Sequence, residues 1–315
     1  MSKAVIAPSY GGPEVLVVTD VEVPAPGPGE VTVEVRAAGI NPVDVKIVGA
    51  VMGGADESRL PLRVGMEAAG VVTAVGEGAT GPAGALSVGD EVIAYPIQGA
   101  YAAAVTVPAG SVFPKPAALG FEEASGLSLT GVTAYHLVEA THVTSGDTVL
   151  VHGVAGGVGL TVAQLALDRG AAVVGTARAD RHDVLRGYGV VPVEYGDGLA
   201  DRVRAVAPDG VDVALDTVGT DEAVDVSLEL VADRRRIATV AAFGRGDDGI
   251  QLLGGGPGAD PGTEIRMPGR LVLTELVEQG RLRVVVAASY PLEQAAEAAA
   301  LVADGHAGGK VVLVP

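Results

Sequence analysis

The sequence predicts an α/β protein in which a β-rich barrel or sandwich is followed by a doubly wound parallel sheet. Three observations predict it. Residues 1 to about 118 are dense in Val, Gly and Pro, with short Val-rich or alternating runs punctuated by turn signals. From Phe121 the period changes, and strand-like runs alternate with helical patterns. At residues 148–159 the chain reads TVLVHGVAGGVG, an apolar run that passes through glycines into a helical pattern.

The elements follow in order. Strands are expected at 3–7, 15–23, 31–38, 70–75, 91–95 and 102–107, separated by turns such as Pro26-Gly27, Pro28-Gly29, Gly53-Gly54 and Gly89-Asp90. Residues 113–116, Phe-Pro-Lys-Pro, read as a connector. A helix over 121–138 opens on Glu122 and Glu123, which suit the positive end of a helix dipole. Strands at 148–151, 172–176, 191–194, 211–216 and 236–241 then alternate with helices at 157–169, 180–188, 199–206 and 220–231. Residues 249–262 are glycine-rich and irregular, and 267–279 are helical. The tail closes with a strand at 282–287, a helix at 292–304 and a strand at 310–314.

Composition narrows the function classes. The chain's 315 residues leave room for two domains and a sizeable core. With 48% hydrophobic residues but only 3% aromatics, that core is built from Val, Leu and Ala. The formal net charge is −18, and no basic run exceeds Arg234–Arg236, which argues against nucleic acid and against an anionic membrane surface. Cysteine is absent, so disulfides, thiolate metal sites and a Cys nucleophile are excluded. The start, MSKAVIAPSYGG, shows no apolar signal core, and the longest apolar zone, 148–167, carries His152 and Gln164. A soluble, cytoplasmic protein is expected.

The glycine cluster can hold a pyrophosphate, because glycines admit close backbone approach and the helix that follows points its first amides at the ligand. The fingerprint is imperfect. Val154 stands at the first glycine place, and Gly156 and Gly159 hold the second and third. An ordinary glycine-rich turn is the alternative. The strand–turn–helix context and the second strand at βαβ spacing favour a dinucleotide. Where an NAD site places an Asp or Glu, about 20 residues beyond the first glycine, this chain carries Arg178, with Arg181 close behind. A cation there favours the 2′-phosphate of NADPH. Solvated arginines, or Asp180 turned inward, are the alternatives.

The residues also resemble a known family. GGPEVL at 11–16, the Pro/Gly run with Glu-Val at 24–31, GINPVDVK at 39–46 and GMEAAGVV at 65–72 come first. GDEV at 89–92, AGGVG at 155–159, LDTVG at 215–219 and GHAGGKVVLVP at 305–315 follow. In this order and spacing they resemble, end to end, the zinc-independent quinone oxidoreductases of the medium-chain dehydrogenase/reductase superfamily. The resemblance implies a GroES-like β-barrel catalytic domain at 1–119, joined by 263–315, and a doubly wound Rossmann domain for NADPH at 120–262. Relatives that use zinc carry a Cys near the 39–44 turn, Gly-His-Glu in place of Gly65-Met66-Glu67, and a four-Cys lobe. Here Asn41 and Met66 stand at those places, and an amide and a thioether are poor zinc ligands. His136, His142, His152, His182 and His306 show no metal-binding spacing. No metal is expected.

Without a Lewis acid, the expected chemistry is hydride delivery to an acceptor that is already electron-poor, a quinone or an enone β-carbon. The resemblance places Asn41 at the nicotinamide or the substrate carbonyl, a Thr of the LSLTGVTAY stretch (Thr130) near the nicotinamide ribose, and Lys310 near the nicotinamide. It places Gly156, Gly157 and Val158 at the pyrophosphate, and Thr176, Arg178 and Tyr195 around the 2′-phosphate. Val218 and the Phe243-Gly244 pair lie at predicted strand ends, where doubly wound sheets bind ligands. Asn41 could instead form a turn before Pro42. Asp44 reads equally as structural or functional, and Tyr95 as cleft or barrel packing. Lys46 either donates to an enolate or lies on the surface. Relatives are commonly homodimers. Two other readings keep the same fold: an enoyl-thioester reductase of lipid or polyketide metabolism, and a non-catalytic NADPH-binding protein.

Overall fold

The computed structural model describes residues 1–305 and 307–315; His306 lies outside the described residues. The chain forms two units. One comprises Met1–Leu129, Leu271–Gly280 and Val284–Pro315, the other Thr130–Arg270 and Arg281–Arg283. The first boundary falls later than the 119/120 division read from the sequence. Leu129, the last residue of the first unit's opening segment, donates its amide to the buried Glu67 carboxylate at 2.8 Å.

The first unit opens with β1 (Ser2–Ala7), β2 (Val17–Val21) and the long β3 (Glu30–Ile40). Along β3, Val31, Val33 and Val35 alternate into the core, and from Ala37 to Ile40 most side chains are buried. A short helix, α1 (Pro42–Val48), stands where the sequence suggested only a turn. Pro42 sits at its first position, and the Asp44 carboxylate reaches back to the Asn41 amide at 2.9 Å. An Asn-Pro pair therefore starts a helix here. Then come β4 (Leu62–Arg63), β5 (Ala68–Val75), the hairpin β6 (Thr80–Gly81) and β7 (Gly84–Ala85), β8 (Glu91–Ala94), β9 (Ala104–Pro108) and β10 (Val112–Pro114). The last of these occupies part of the expected connector.

The helix expected over 121–138 is two, α2 (Phe121–Ala124) and α3 (Ser128–Ala140). Gly126 lies in the break. A Cβ there would stand 2.8 Å from Lys310 Cγ, so the backbone closes onto that lysine's stem.

The second unit alternates β11 (Thr148–His152), α4 (Gly157–Asp168), β12 (Ala172–Thr176), α5 (His182–Gly187), β13 (Val191–Val193), α6 (Leu199–Val206), β14 (Val213–Asp216), α7 (Asp221–Leu230), β15 (Ile237–Thr239) and β16 (Gln251–Leu252). All six strands are parallel, in the order β13-β12-β11-β14-β15-β16. This is the doubly wound order, which reverses between the first and fourth strands. Leu150, Val174, Ala214 and Ile237, from four neighbouring strands, fill one core face. Burial of the Leu150, Val174 and Ile237 side chains stabilises by about 1.5–3 kcal/mol each.

The chain ends with α8 (Thr263–Glu278), β17 (Val286–Pro291), α9 (Ala295–Asp304) and β18 (Lys310–Val314). In the first unit β18 pairs antiparallel with β3, with Val311 opposite Ile40, and parallel with β17. The strand expected at 282–287 starts at Val286 instead. Arg283 belongs to the second unit, where Gln164 holds its amide (2.9 Å) and its carbonyl (3.1 Å).

Candidate functional site

In the second unit the glycine-rich turn joins β11 to α4. Gly153 has φ +75°, and a Cβ on it would lie 2.4 Å from Val218 Cγ1. Gly159 lets the helix close on the strand, because a Cβ would come within 2.3 Å of the Gly153 carbonyl. Val154 is fully buried at the first fingerprint place, and its side chain seats on Gly175 of β12, where any Cβ would be 2.5 Å away. The missing first glycine is thus matched by a glycine on the neighbouring strand. Gly156 caps α4 and is exposed, and Leu160 is the first residue whose amide reaches an intrahelical carbonyl. The amides of Gly157, Val158 and Gly159 have no intrahelical acceptor and open toward the turn. The open cradle and the helix dipole fit a pyrophosphate.

At the ends of β12 and β13 the expected residues separate. Thr176 is buried, and its hydroxyl accepts the Gly153 amide at 3.1 Å, which ties the glycine-rich turn to β12. Arg178 is exposed, and its guanidinium lies 3.3 Å from the Asp180 carboxylate. Tyr195 is exposed on the loop after β13. Arg202 of α6 fixes that loop from below, donating to the carbonyls of Glu194 (2.8 Å), Gly196 (2.7 Å) and Asp197 (2.7 Å). Val218 and Gly244 are exposed beyond β14 and β15, and Phe243 is half-buried against Gly256. Thr130 is buried on α3.

The strand register places Val193, Thr176, His152, Asp216 and Thr239 in one row along the carboxyl edge of this sheet. Four of the five are polar and buried. Burial pushes the His152 imidazole down to about 4, so it is neutral at pH 7, and its Nε2 meets the Ser227 hydroxyl at 3.1 Å. Asp216 accepts the amides of Val218 and Gly219 and the Thr239 hydroxyl. Apart from Thr176, sequence reasoning passed over this row. Its only signal was a polar residue at the end of each apolar strand.

In the first unit, Asn41 is 1% exposed. Its Nδ2 donates to Glu67 Oε1 at 2.9 Å, and its Oδ1 accepts from Lys310 Nζ at 2.7 Å. The Lys310 ammonium also reaches Glu67 Oε1 at 2.8 Å and the Ile40 carbonyl at 3.4 Å. Three acceptors match the three ammonium protons. The structure thus places Asn41 and Lys310 together in a buried charge cluster around Glu67. Beside it, the Tyr101 hydroxyl donates to Asp44 Oδ2 at 2.8 Å. Burial raises the Asp44 carboxyl to about 6, against the opposing pull of its bonds to Tyr101 and Asn41 and of the nearby Lys310. Burial, followed by the charge of Asp44, raises Tyr101 well above its ordinary value. Lys46 is exposed on α1, in keeping with its surface alternative, and Tyr95 is buried. Glu67 and Tyr101 had no role in the sequence reading, although Glu67 lay inside a quoted motif.

Residues 27–117 match the alcohol dehydrogenase GroES-like domain family, and residues 192–313 match the zinc-binding dehydrogenase family. The chain is 34% identical to the synaptic vesicle membrane protein VAT-1 homolog of Rattus norvegicus, over 93% of this chain and 78% of that protein. It is 30% identical to the quinone oxidoreductase of Pongo abelii, over 100% of this chain and 98% of that one. Among solved structures, mycobacterial Rv1454c complexed with NADPH superposes with TM-score 0.86 at 30% identity, covering 99% of this chain and 100% of that one. No helix among the described residues is long and apolar enough to cross a membrane. The zinc named by the second family does not fit the donors of the first unit, because the Lys310 ammonium already lies between Asn41 and Glu67. Among the described residues no three His, Cys, Asp or Glu side chains form a group able to hold a metal.

Proposed function

Because the chain belongs to the medium-chain dehydrogenase/reductase superfamily, in its quinone oxidoreductase-like group, we propose that it reduces quinones or α,β-unsaturated carbonyl compounds with NADPH and without a metal. The observation that carries the cofactor choice is the end of β12, where an exposed Arg178 replaces the carboxylate that would bind a ribose 2′-hydroxyl. When bound, the reduced nicotinamide supplies a hydride.

The residues of this chain bind and orient. The Gly157 and Val158 amides and the α4 dipole hold the pyrophosphate. The Arg178 guanidinium pairs with the 2′-phosphate, for which its planar fork is suited. Tyr195 lies beside the adenosine, on the loop that Arg202 fixes. Val218, Phe243 and Gly244, at the ends of β14 and β15, line the nicotinamide half. A buried ammonium offers no open coordination site to a carbonyl oxygen, which supports an acceptor that is electrophilic on its own account. Water then supplies the proton that completes the reduction.

The test is NADPH oxidation by the whole chain, with a quinone, a simple enone and an enoyl thioester assayed in parallel. Turnover of the quinone or the enone is expected. Tight NADPH binding with no turnover of any of the three would remove the enzymatic reading.

A further inference from the structure

We propose that Asp216 is a positioning residue for the nicotinamide half of the dinucleotide, acting on the Val218-Gly219 turn directly and on the turn leading to Phe243-Gly244 through the Thr239 hydroxyl. The inference rests on the reading of the second unit as an NADPH site. Asp216 is the last residue of β14 and is 1% exposed. Its Oδ1 accepts the amides of Val218 at 2.9 Å and Gly219 at 3.0 Å. Its Oδ2 accepts the Thr239 hydroxyl at 2.6 Å. Thr239 stands opposite it in register on β15, and the Thr239 oxygen in turn accepts the amides of Ala241 at 3.1 Å and Ala242 at 2.9 Å.

The direction of every bond is determined. A backbone amide only donates, and an ionised carboxylate only accepts. The Thr239 proton therefore goes to Asp216, which frees the hydroxyl oxygen to accept two amides. One carboxylate thus sets four backbone amides, two on each turn. The turns also touch: a Cβ on Gly219, which has φ +80°, would lie 2.9 Å from the Ala241 carbonyl carbon. Val218 and Gly244 stay exposed above this buried anchor.

The glycine-rich turn on the other half of the sheet has its own anchor on β12: the Thr176 hydroxyl accepts the Gly153 amide at 3.1 Å. It touches the Asp216 side through Thr217, whose hydroxyl donates to the His152 carbonyl at 2.7 Å, but neither bond uses the Asp216 carboxylate. In a doubly wound sheet the two halves each hold one mononucleotide, and the acid or arginine at the second strand marks the adenosine side. Asp216 therefore governs the half of the ligand opposite Arg178. Asn cannot replace it. In either amide orientation the NH2 group faces a donor, so either the Val218 and Gly219 amides or the Thr239 hydroxyl loses its acceptor.

The experiment compares the whole chain with Asp216→Asn, Thr239→Val and Thr239→Ser. Binding of NADPH and of 2′,5′-ADP, which is the adenosine half alone, is measured by titration calorimetry. The expected result is that Asp216→Asn and Thr239→Val weaken NADPH about tenfold, leave 2′,5′-ADP within about twofold, and that Thr239→Ser restores NADPH affinity. If Asp216→Asn does not fold, the two Thr239 variants test the same relay. Unchanged NADPH affinity in folded Asp216→Asn or Thr239→Val overturns the proposal. Equal loss of NADPH and 2′,5′-ADP overturns it too, because that marks a general structural role. Failure of the unaltered chain to bind NADPH overturns the NADPH reading and this proposal with it, and is recognised by appearing without any substitution.

Discussion

A lysine on a final strand ordinarily ends in water, but Lys310 ends among Asn41, Glu67 and the Ile40 carbonyl. Breaking a buried ion pair from one side leaves an uncompensated charge, so Lys310→Met is expected to lose about 3–5 kcal/mol. Adding Glu67→Gln should recover a good part of that loss in urea denaturation; no recovery would mean that the pairing is not the source. Asp44 makes a pH prediction. Its folded-state value of about 6 lies above the ordinary 3.8, so its contribution to stability is fully present below pH 3.8 and is lost as pH rises through 6. The loss is on the order of 3 kcal/mol. It should appear as a stability difference between the parent and Asp44→Asn that declines across this window and is flat above it. Arg178→Ala should raise the KM for NADPH at least about tenfold while changing that for NADH little. An equal effect on both would take Arg178 away from the 2′-phosphate.

Among elements, the β11–α4 turn separates packing from ligand contact. Gly159→Ala would bring its Cβ to 2.3 Å from the Gly153 carbonyl and 2.8 Å from Val154 Cα, both backbone atoms that cannot rotate away. It should cost about 1–3 kcal/mol and weaken NADPH binding. Gly156→Ala meets only the Gly153 carbonyl, at 3.4 Å, so its melting temperature should stay near that of the parent. Its NADPH affinity should still fall, because the added methyl group lies in the exposed cradle. Calorimetric melting beside NADPH titration of the two variants checks this, and matched losses in both would deny Gly156 a ligand. The elements themselves were largely legible. Alternating strands and helices in the second unit follow from periodicity, and the missed α1 and the broken 121–138 helix follow from contacts that periodicity does not encode. An Asn-Pro pair looks like a turn until a carboxylate three residues on reaches back to cap it. Gly126 looks permissive until a lysine stem from the last strand lies against it.

For the whole molecule, the absence of cysteine removes every thiolate metal ligand. In the first unit the cation facing Glu67 is an ammonium, and Asn41 and Met66 offer no strong zinc donor. Prolonged dialysis against EDTA is therefore expected to leave NADPH oxidation unchanged. Activity that fell on dialysis and returned with added zinc would place a metal in the reaction.

From the residue order alone came the β-rich first part, the alternating second part, the glycine cradle, the exclusion of thiolate chemistry and the arginine where a carboxylate would bind ribose. Each of these is local: it is read within one turn, one strand or one count of residues. The tertiary structure alone decided which polar groups remain for a ligand. Asn41 meets Lys310 across 269 positions, and Asp216 meets Thr239 across 23. Thr176 and Lys310, which looked available, are consumed by such partners, while Arg178 and Tyr195 are not buried. A buried polar group must find its hydrogen bonds inside the protein, and where the partner lies depends on how strands far apart in the chain are set side by side.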